Sequence, residues 1–455
     1  MSTLRSQPKA GFSLSFPRSA WVMNTSGDVT LSSFEKKEKS LSQWLTWMEE
    51  TRPEHEIDFG LDRIRLVADR LDLLKPAPFI ITVGGTNGKG STLAVLEAIL
   101  LAAGYKVGLF TSPHFLKFNE RIRINGEQVS DDWLCDAFEK INDGRKTTWL
   151  TYFEFATLAA VDCFKRAEVD VALMEVGLGG RLDATNVVDP DVSVITTVAL
   201  DHQEYLGYSI EAIAKEKSGI FRASKPAIFG DQPVPQAITE MAKRLGSTLY
   251  CRGEAFNLER MGNTWHWSGS ENQKLENLPV PNVVIDNAAT ALQALQFMSE
   301  PIATEAIGKG LSQVSVTGRF QKLMMENESG ELIDVVLDVA HNPQAAEMLK
   351  QRLDDSPEDG KTRAVIAMCK DKDYMAVVDC LSSNIDEWYV AQFESPRALP
   401  EQELAQKLVD RGYSVNRYQN VAEALHHALA SSTSGDRVLV TGSFMTVSAA
   451  LTSSH

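Results

Sequence analysis

The sequence predicts an α/β protein in two parts. The larger has a parallel-rich central sheet; the smaller, at the C-terminal end, is a Rossmann-like α/β domain. Three observations predict this. The chain has 455 residues, beyond the size at which one core keeps growing. Short, nearly continuous apolar runs alternate with helical periodicity, as strands buried on both faces of a parallel sheet do. The alternation breaks around Val316-Thr317-Gly318-Arg319-Phe320 and then restarts.

Taken in order, residues 1–38 are Ser-rich and lack periodicity, which predicts a flexible extension. Leu41, Trp44, Leu45 and Met48 form one stripe of a helix over Leu41–Glu50. A turn over Pro53–Gly60 and a helix over Leu61–Leu74, stopped by Pro76, follow. Phe79–Val83 is the first buried strand; a glycine-rich turn and a helix over Leu93–Ala103 come next, ended by Gly104. Strands are expected at Val107–Phe110, Val169–Val176 and Val192–Val198, and helices at Tyr152–Arg166 and Ile210–Phe221. Beyond the break, strands are expected at Ile333–Asp338, Arg363–Met368, Trp388–Ala391 and Arg437–Val440, with helices at Gln344–Leu353, Glu401–Arg411 and Val421–Leu429. The expected division is 39–316, a linker at 317–322, and 323–455.

Composition narrows the function. A net charge of −16 repels a phosphodiester backbone, which argues against nucleic-acid partners but leaves room for small anions gripped locally. The five cysteines include no Cys-x-x-Cys pair, as in a reduced cytoplasmic protein without structural zinc. No apolar run reaches the length of a membrane span, and Pro17 and Arg18 interrupt the only mildly apolar N-terminal stretch, so neither a membrane partner nor a secretory signal is expected.

The most informative segment is Gly84-Gly85-Thr86-Asn87-Gly88-Lys89-Gly90-Ser91-Thr92. A glycine turn between a buried strand and a helix start lets backbone N–H groups and the helix dipole converge on phosphate. Lys89 adds a point charge for the outer phosphates and Ser91 a hydroxyl for Mg²⁺. The fit to the general P-loop is imperfect: Val83 stands where the first glycine belongs, and Gly90 separates Lys89 from Ser91. The strand–loop–helix context still predicts a first domain of P-loop type that cradles phosphate.

This loop resembles that of the Mur-ligase superfamily, and the inserted Gly90 resembles its folate branch. Other motifs agree, among them Asp58-Phe59-Gly60-Leu61-Asp62-Arg63, Thr111-Ser112-Pro113-His114, Thr151-Tyr152-Phe153-Glu154, the Glu175–Asn186 run, Leu200-Asp201-His202, Glu216-Lys217-Ser218-Gly219, Asp338-Val339-Ala340-His341-Asn342-Pro343 and Gly442-Ser443-Phe444. The resemblance runs from about residue 40 to the end. It implies that the first domain is of P-loop ATPase type and takes ATP. It implies a ligase that adds L-glutamate to dihydropteroate, and further glutamates to reduced folates, through an acyl phosphate. It also implies a monomer.

Site residues follow from the resemblance. The ATP set is Asn87, Gly88, Lys89, Gly90, Ser91, Asn287, Arg319 and Asp338. One or two Mg²⁺ ions fall to Ser91, Ser112, Glu175 and His202, joined by Lys217 if that lysine is carbamylated. Lys89, Lys217, His341 and Ser443 are the catalytic candidates, the last two toward glutamate. Asp58, Phe59, Gly60, Thr151, Tyr152, Phe153, Glu154, Leu182, Asp183 and Ala184 form the dihydropteroate pocket.

Read alone, several of these residues suggest plainer roles. Glu175 could be a buried, salt-bridged carboxylate, His202 structural, and Lys217 a solvated charge at a helix end. Asn287 suits an N-terminal cap, and a linker arginine such as Arg319 is ordinarily solvated. His341 and Ser443 suit capping or turn roles, and Phe153 suits core packing as well as stacking on a flat pterin. Arg121 and Arg123 alternate like an exposed strand face. Rival readings are a cell-wall ligase, which lacks the Asp58–Leu61 loop and inserted Gly90, and a P-loop kinase, which needs no second α/β domain.

Overall fold

Strand β1 (Phe79–Gly84) lies at the middle of an eight-stranded sheet because five of its six residues are buried and only a strand covered on both faces can hide them. Around it lie β2 (Val107–Phe110), β3 (Ile122–Ile124), β4 (Glu127–Gln128), β5 (Val171–Glu175), β6 (Val192–Ile195), β7 (Ala227–Phe229) and β8 (Leu249–Cys251), in the order β4-β3-β2-β5-β1-β6-β7-β8. All pairs are parallel except β2–β3 and β3–β4. The register sets Val83 beside Glu175, so the carboxyl end of β5 stands next to the glycine turn that follows β1.

The computed structural model describes residues 39–51, 53, 58–270 and 273–453, and Ser40–His455 form one unit. The expected extension, residues 1–38, lies outside the described residues, as does part of the Pro53–Gly60 turn. A three-stranded antiparallel sheet, β9 (Asn257–Met261), β10 (Thr264–Ser268) and β11 (Lys274–Pro279), follows the first sheet. The third sheet has β12 (Gln321–Glu326), β13 (Leu332–Asp338), β14 (Thr362–Ile366), β15 (Glu387–Val390), β16 (Val415–Arg417) and β17 (Arg437–Thr441), in the order β12-β13-β17-β14-β15-β16. Only β12 is antiparallel to its neighbour.

One apolar core, with Trp44, Phe138, Phe155 and Phe164, covers one face of the first sheet. A second joins Val83, Leu96 and Leu173 to Trp265, Trp267 and Leu292. Both faces of the third sheet are likewise packed, around Ile366 and Trp388 on one side and Val365 and Val440 on the other.

The helix after the glycine turn runs Lys89–Ala102, four residues earlier than periodicity predicts. Gly88, at φ 87°, takes the left-handed turn that starts it, a conformation open to glycine at little cost. The helix Tyr152–Ala167 opens with a capping box: Thr151 Oγ1 accepts from the Glu154 amide at 3.1 Å, and Glu154 Oε2 accepts from the Thr151 amide at 2.7 Å. Asn287 is no cap. The helix Ile285–Leu295 begins before it, and its cap position is Val284. Arg121 is not on an exposed face either: it is 1% exposed, with its Nε donating to His114 Nδ1 at 2.8 Å, while Arg123 pairs with Glu97.

Candidate active site

Strand polarity assembles the site. Parallel strands bring their carboxyl ends to one edge, where ligand clefts of open α/β sheets form. Glu175 ends β5, and the glycine turn leaves β1 beside it. A Cβ built on Gly90 would stand 3.9 Å from Glu175 Oε1, at van der Waals contact, so the carboxylate faces the turn. Glu175 Oε2 accepts from the Ser112 amide at 3.1 Å. Burial pushes the Glu175 carboxyl up, and the Lys89 charge opposes that shift. Lys89 itself is pulled down by burial, with Glu175 opposing, and its Nζ rests on the Gly85 and Thr86 carbonyls at 3.1 and 3.3 Å. Ser91, in the first turn of the next helix, is buried.

Asn87 and Asn287 meet this turn differently. A Cβ on Gly88 would stand 2.3 Å from Asn287 Oδ1, which places the Asn287 amide against the loop. The Asn87 side chain points the other way: its Nδ2 donates to Asn342 Oδ1 at 3.1 Å and Gln344 Oε1 at 2.7 Å, both beyond β13 in the third sheet's part of the chain. Asn342 Nδ2 returns a bond to Asn87 Oδ1 at 3.1 Å and reaches Asp201 Oδ2 at 3.3 Å.

Asp201 is the hub of the cleft. It accepts from the His202 amide at 2.8 Å, pairs with Lys372, and faces His341 Nε2 at 3.4 Å. Burial alone would raise its carboxyl; the His341 hydrogen bond and the Lys372 cation outweigh that and hold it far below the usual carboxylate range. His202 occupies the left-handed region at φ 49°, just before the helix Gln203–Leu206. Its side chain is 38% exposed, yet partial desolvation in the cleft, opposed by Asp201, pulls the imidazole down to about 4, the neutral form that metal binding by a histidine requires.

Lys217 closes the helix Ile210–Lys217, but it is 4% exposed rather than solvated. Burial, helped by the nearby Lys89 charge, pulls its ammonium down to about 7. Arg319 is half-buried with its guanidinium 4.9 Å from the Phe444 ring centroid, and the charges of Asp338 and Glu175 bear on it. Asp338 ends β13 and accepts from the Phe320 and Ala340 amides at 2.8 and 3.0 Å. Ser443 follows β17; its Oγ accepts from the Thr446 amide at 3.0 Å, the turn role that a serine before a helix ordinarily has.

Among the described residues no three His, Cys, Asp or Glu side chains converge as a metal cage. The donor set of one buried carboxylate, hydroxyls and a neutral imidazole still fits Mg²⁺, which keeps waters and phosphate oxygens in its shell.

The acid-side candidates form a second group. Arg63 Nη2 donates to the Asp58 carbonyl at 3.0 Å and to Glu154 Oε1 at 3.3 Å, tying the Asp58–Gly60 loop to the Thr151–Glu154 turn. Phe59 is 38% exposed and meets Tyr205 at 6.1 Å between ring centroids. Tyr152 is buried in the core, while Phe153 is half-buried, 5.8 Å from Phe110 and against Gly177. Asp183 accepts from Leu178 and Thr185 and fixes the turn that carries Leu182 and Ala184.

Comparison with known proteins decides the family. Residues 83–263 match the Mur ligase middle domain, and residues 318–444 the Mur ligase glutamate ligase domain. The dihydrofolate synthase/folylpolyglutamate synthase of Escherichia coli K12 is 45% identical over 407 residues, spanning 90% of this chain and 94% of its own. The chain belongs to the dihydrofolate synthase/folylpolyglutamate synthase family of Mur ligases. Escherichia coli FolC, solved with DHPP and ADP, superposes on this Mur ligase with TM-score 0.86 at 43% identity, covering 91% of this chain and 97% of its own. A bifunctional folylpolyglutamate synthase/dihydrofolate synthase solved with Mn, AMPPNP and L-glutamate gives 0.84 at 46%, covering 91% and 98%.

Sequence reasoning missed Lys372, Asn342 and Gln344 as parts of this Mur ligase's cleft. Lys372 sits in Lys370-Asp371-Lys372-Asp373, which reads as a solvated charge run. Its place just past the buried strand β14 was the available signal, because that position puts it at the sheet's ligand edge.

Proposed function

We propose that this ATP-dependent ligase joins L-glutamate to dihydropteroate, and then further glutamates to reduced folates, through an acyl phosphate. One observation carries the reading: the Glu175 carboxylate faces the glycine turn beside Lys89.

A carboxylate does not acylate an amine unaided, because its oxygen is a poor leaving group. Attack of the acid's carboxylate oxygen on the γ-phosphorus expels ADP and leaves an acyl phosphate. The glutamate amine attacks the acyl carbon, loses a proton, and inorganic phosphate departs. The protein's part is position and charge. In this reading Gly88, Lys89, Gly90 and Ser91 cradle the phosphates and Asn287 takes the adenine, while Arg319 and Asp338 reach the nucleotide from the linker side. Asn87 acts by locking the loop to Asn342 and Gln344.

Ser91, Ser112, Glu175 and His202 would hold a divalent ion, which when bound neutralises phosphate oxygens. Lys217 belongs with them as a carbamate. Its amine, pulled down to about 7, is partly neutral near neutral pH and able to add CO₂ with loss of a proton, and the product is a carboxylate-like ligand. His341 and Ser443 act toward the glutamate.

The chain works as a cytoplasmic monomer, with residues 39–316 holding ATP and the acid, 317–322 as linker, and 323–455 presenting glutamate. Among the described residues no helix is long and apolar enough to cross a membrane. The test is ADP release with glutamate plus dihydropteroate, then with glutamate plus a reduced folate. Release with each acid, and none without glutamate, is expected; release independent of glutamate would sink the reading.

A further inference from the structure

Arg63 lies outside the residues read as touching the acid substrate, yet it joins the two segments that do. It is the second residue of the helix Asp62–Arg70, and its guanidinium reaches back over that helix's start. Nη2 is shared between the Asp58 carbonyl at 3.0 Å and Glu154 Oε1 at 3.3 Å; Nη1 lies 3.4 Å from Asp58 Oδ1. The guanidinium carbon stands 4.2 Å from the centre of the Trp149 ring, two residues before the capping box. Asp58 and Glu154 are 96 positions apart in the chain (154 − 58), so Arg63 holds together parts that the sequence does not.

We infer that Arg63 is a positioning residue for the acid substrate: it fixes the Asp58–Gly60 loop over the Thr151–Glu154 turn and so sets the width of the flat-ring pocket between them. This rests on reading those segments as the dihydropteroate pocket. The chemistry suits the task. The Glu154 side chain is 4% exposed, and a carboxylate so placed needs a cation if it is to stay charged and keep accepting from the Thr151 amide. A planar fork can serve a carbonyl, a carboxylate and an indole face at once, which a lysine ammonium cannot. The Asp58 side chain is 37% exposed, so its carbonyl and carboxylate are held from one side by this guanidinium.

The test is steady-state kinetics of the full chain with Arg63→Met and Arg63→Lys. Arg63→Met is expected to raise KM for dihydropteroate about tenfold or more, with KM for ATP within about twofold of wild type, as loss of a charged hydrogen-bond set on one substrate's side predicts. Arg63→Lys keeps the charge and gives a smaller rise on the same substrate alone. It also carries the test if Arg63→Met fails to fold. A purely structural role would weaken both substrates in parallel, and that outcome overturns the inference, as does an unchanged KM for dihydropteroate in both variants. A wild-type chain that turns over ATP yet shows no saturation by dihydropteroate overturns the pocket reading itself.

Discussion

Asp201 and Lys372 form an ion pair between elements at the ends of two different sheets, and each side chain is 8% exposed. Removing one member strands the other charge where water cannot reach it. Asp201→Asn is therefore expected to destabilise the chain by about 3 kcal/mol. Asp201→Asn combined with Lys372→Met should cost clearly less than the sum of the two single changes. Calorimetric melting of the four proteins checks this; strict additivity would mean that the pair is not coupled.

Lys89→Ala and Glu175→Ala each remove one side of the charge balance at the glycine turn. Each should lower ADP release dependent on dihydropteroate and glutamate on the order of 10³-fold, as loss of one transition-state charge stabiliser does. Chelation of divalent metal should do the same to the wild type and be reversed by Mg²⁺. Near-normal turnover in either variant would remove the basis of the assignment.

Lys217 should carry a carbamate. Its ammonium, pulled down to about 7, deprotonates as pH rises through that value, so CO₂ capture should strengthen above pH 7 and fade below it. Protein equilibrated with ¹³C-bicarbonate should give a carbamate carbon signal by NMR that is absent from Lys217→Arg. A signal unchanged in that variant would place the modification elsewhere.

Gly177 lies in the turn after β5. A Cβ there would stand 2.6 Å from Phe153 Cζ and 3.2 Å from Asp183 Oδ2. Gly177→Ala must displace the ring, at an overpacking cost of about 1–3 kcal/mol. Because Phe153 lines the acid pocket in our reading, KM for dihydropteroate should rise more than KM for ATP. Kinetics that affect both equally would return Phe153 to simple core packing.

The strands of the first sheet were legible because burial on both faces leaves unbroken apolar runs, and Val107–Phe110 was read to the residue. The antiparallel β9–β11 sheet was not. Asn257–Met261 and Lys274–Pro279 each carry only two aliphatic residues spaced three apart, which is not the period-2 pattern of a strand, and Thr264–Ser268, which does alternate, is only five residues long. The glycine turn and Glu175 were legible because one strand polarity puts both at one edge. Two readings failed for one reason: Arg121 and Lys217 are charged and look solvated in sequence, yet tertiary packing buries both. Asn287 was misplaced as a cap because an asparagine ahead of an alanine-rich run suits that position, whereas the helix starts at Ile285 and makes Asn287 its third residue. The bonds from Asn87 to Asn342 and Gln344 join residues about 255 positions apart, a separation that no local pattern encodes.

The β9–β11 sheet has a practical consequence. The Trp267 indole N–H donates to the Ala289 carbonyl at 3.1 Å, and that carbonyl lies two residues from Asn287 on the same helix. Trp267 is thus a built-in optical probe wired to the helix of Asn287, which takes the adenine in our reading. Its emission should respond to a seated nucleotide, so titration with ADP can be followed in the unlabelled protein, with Trp267→Phe as the blank.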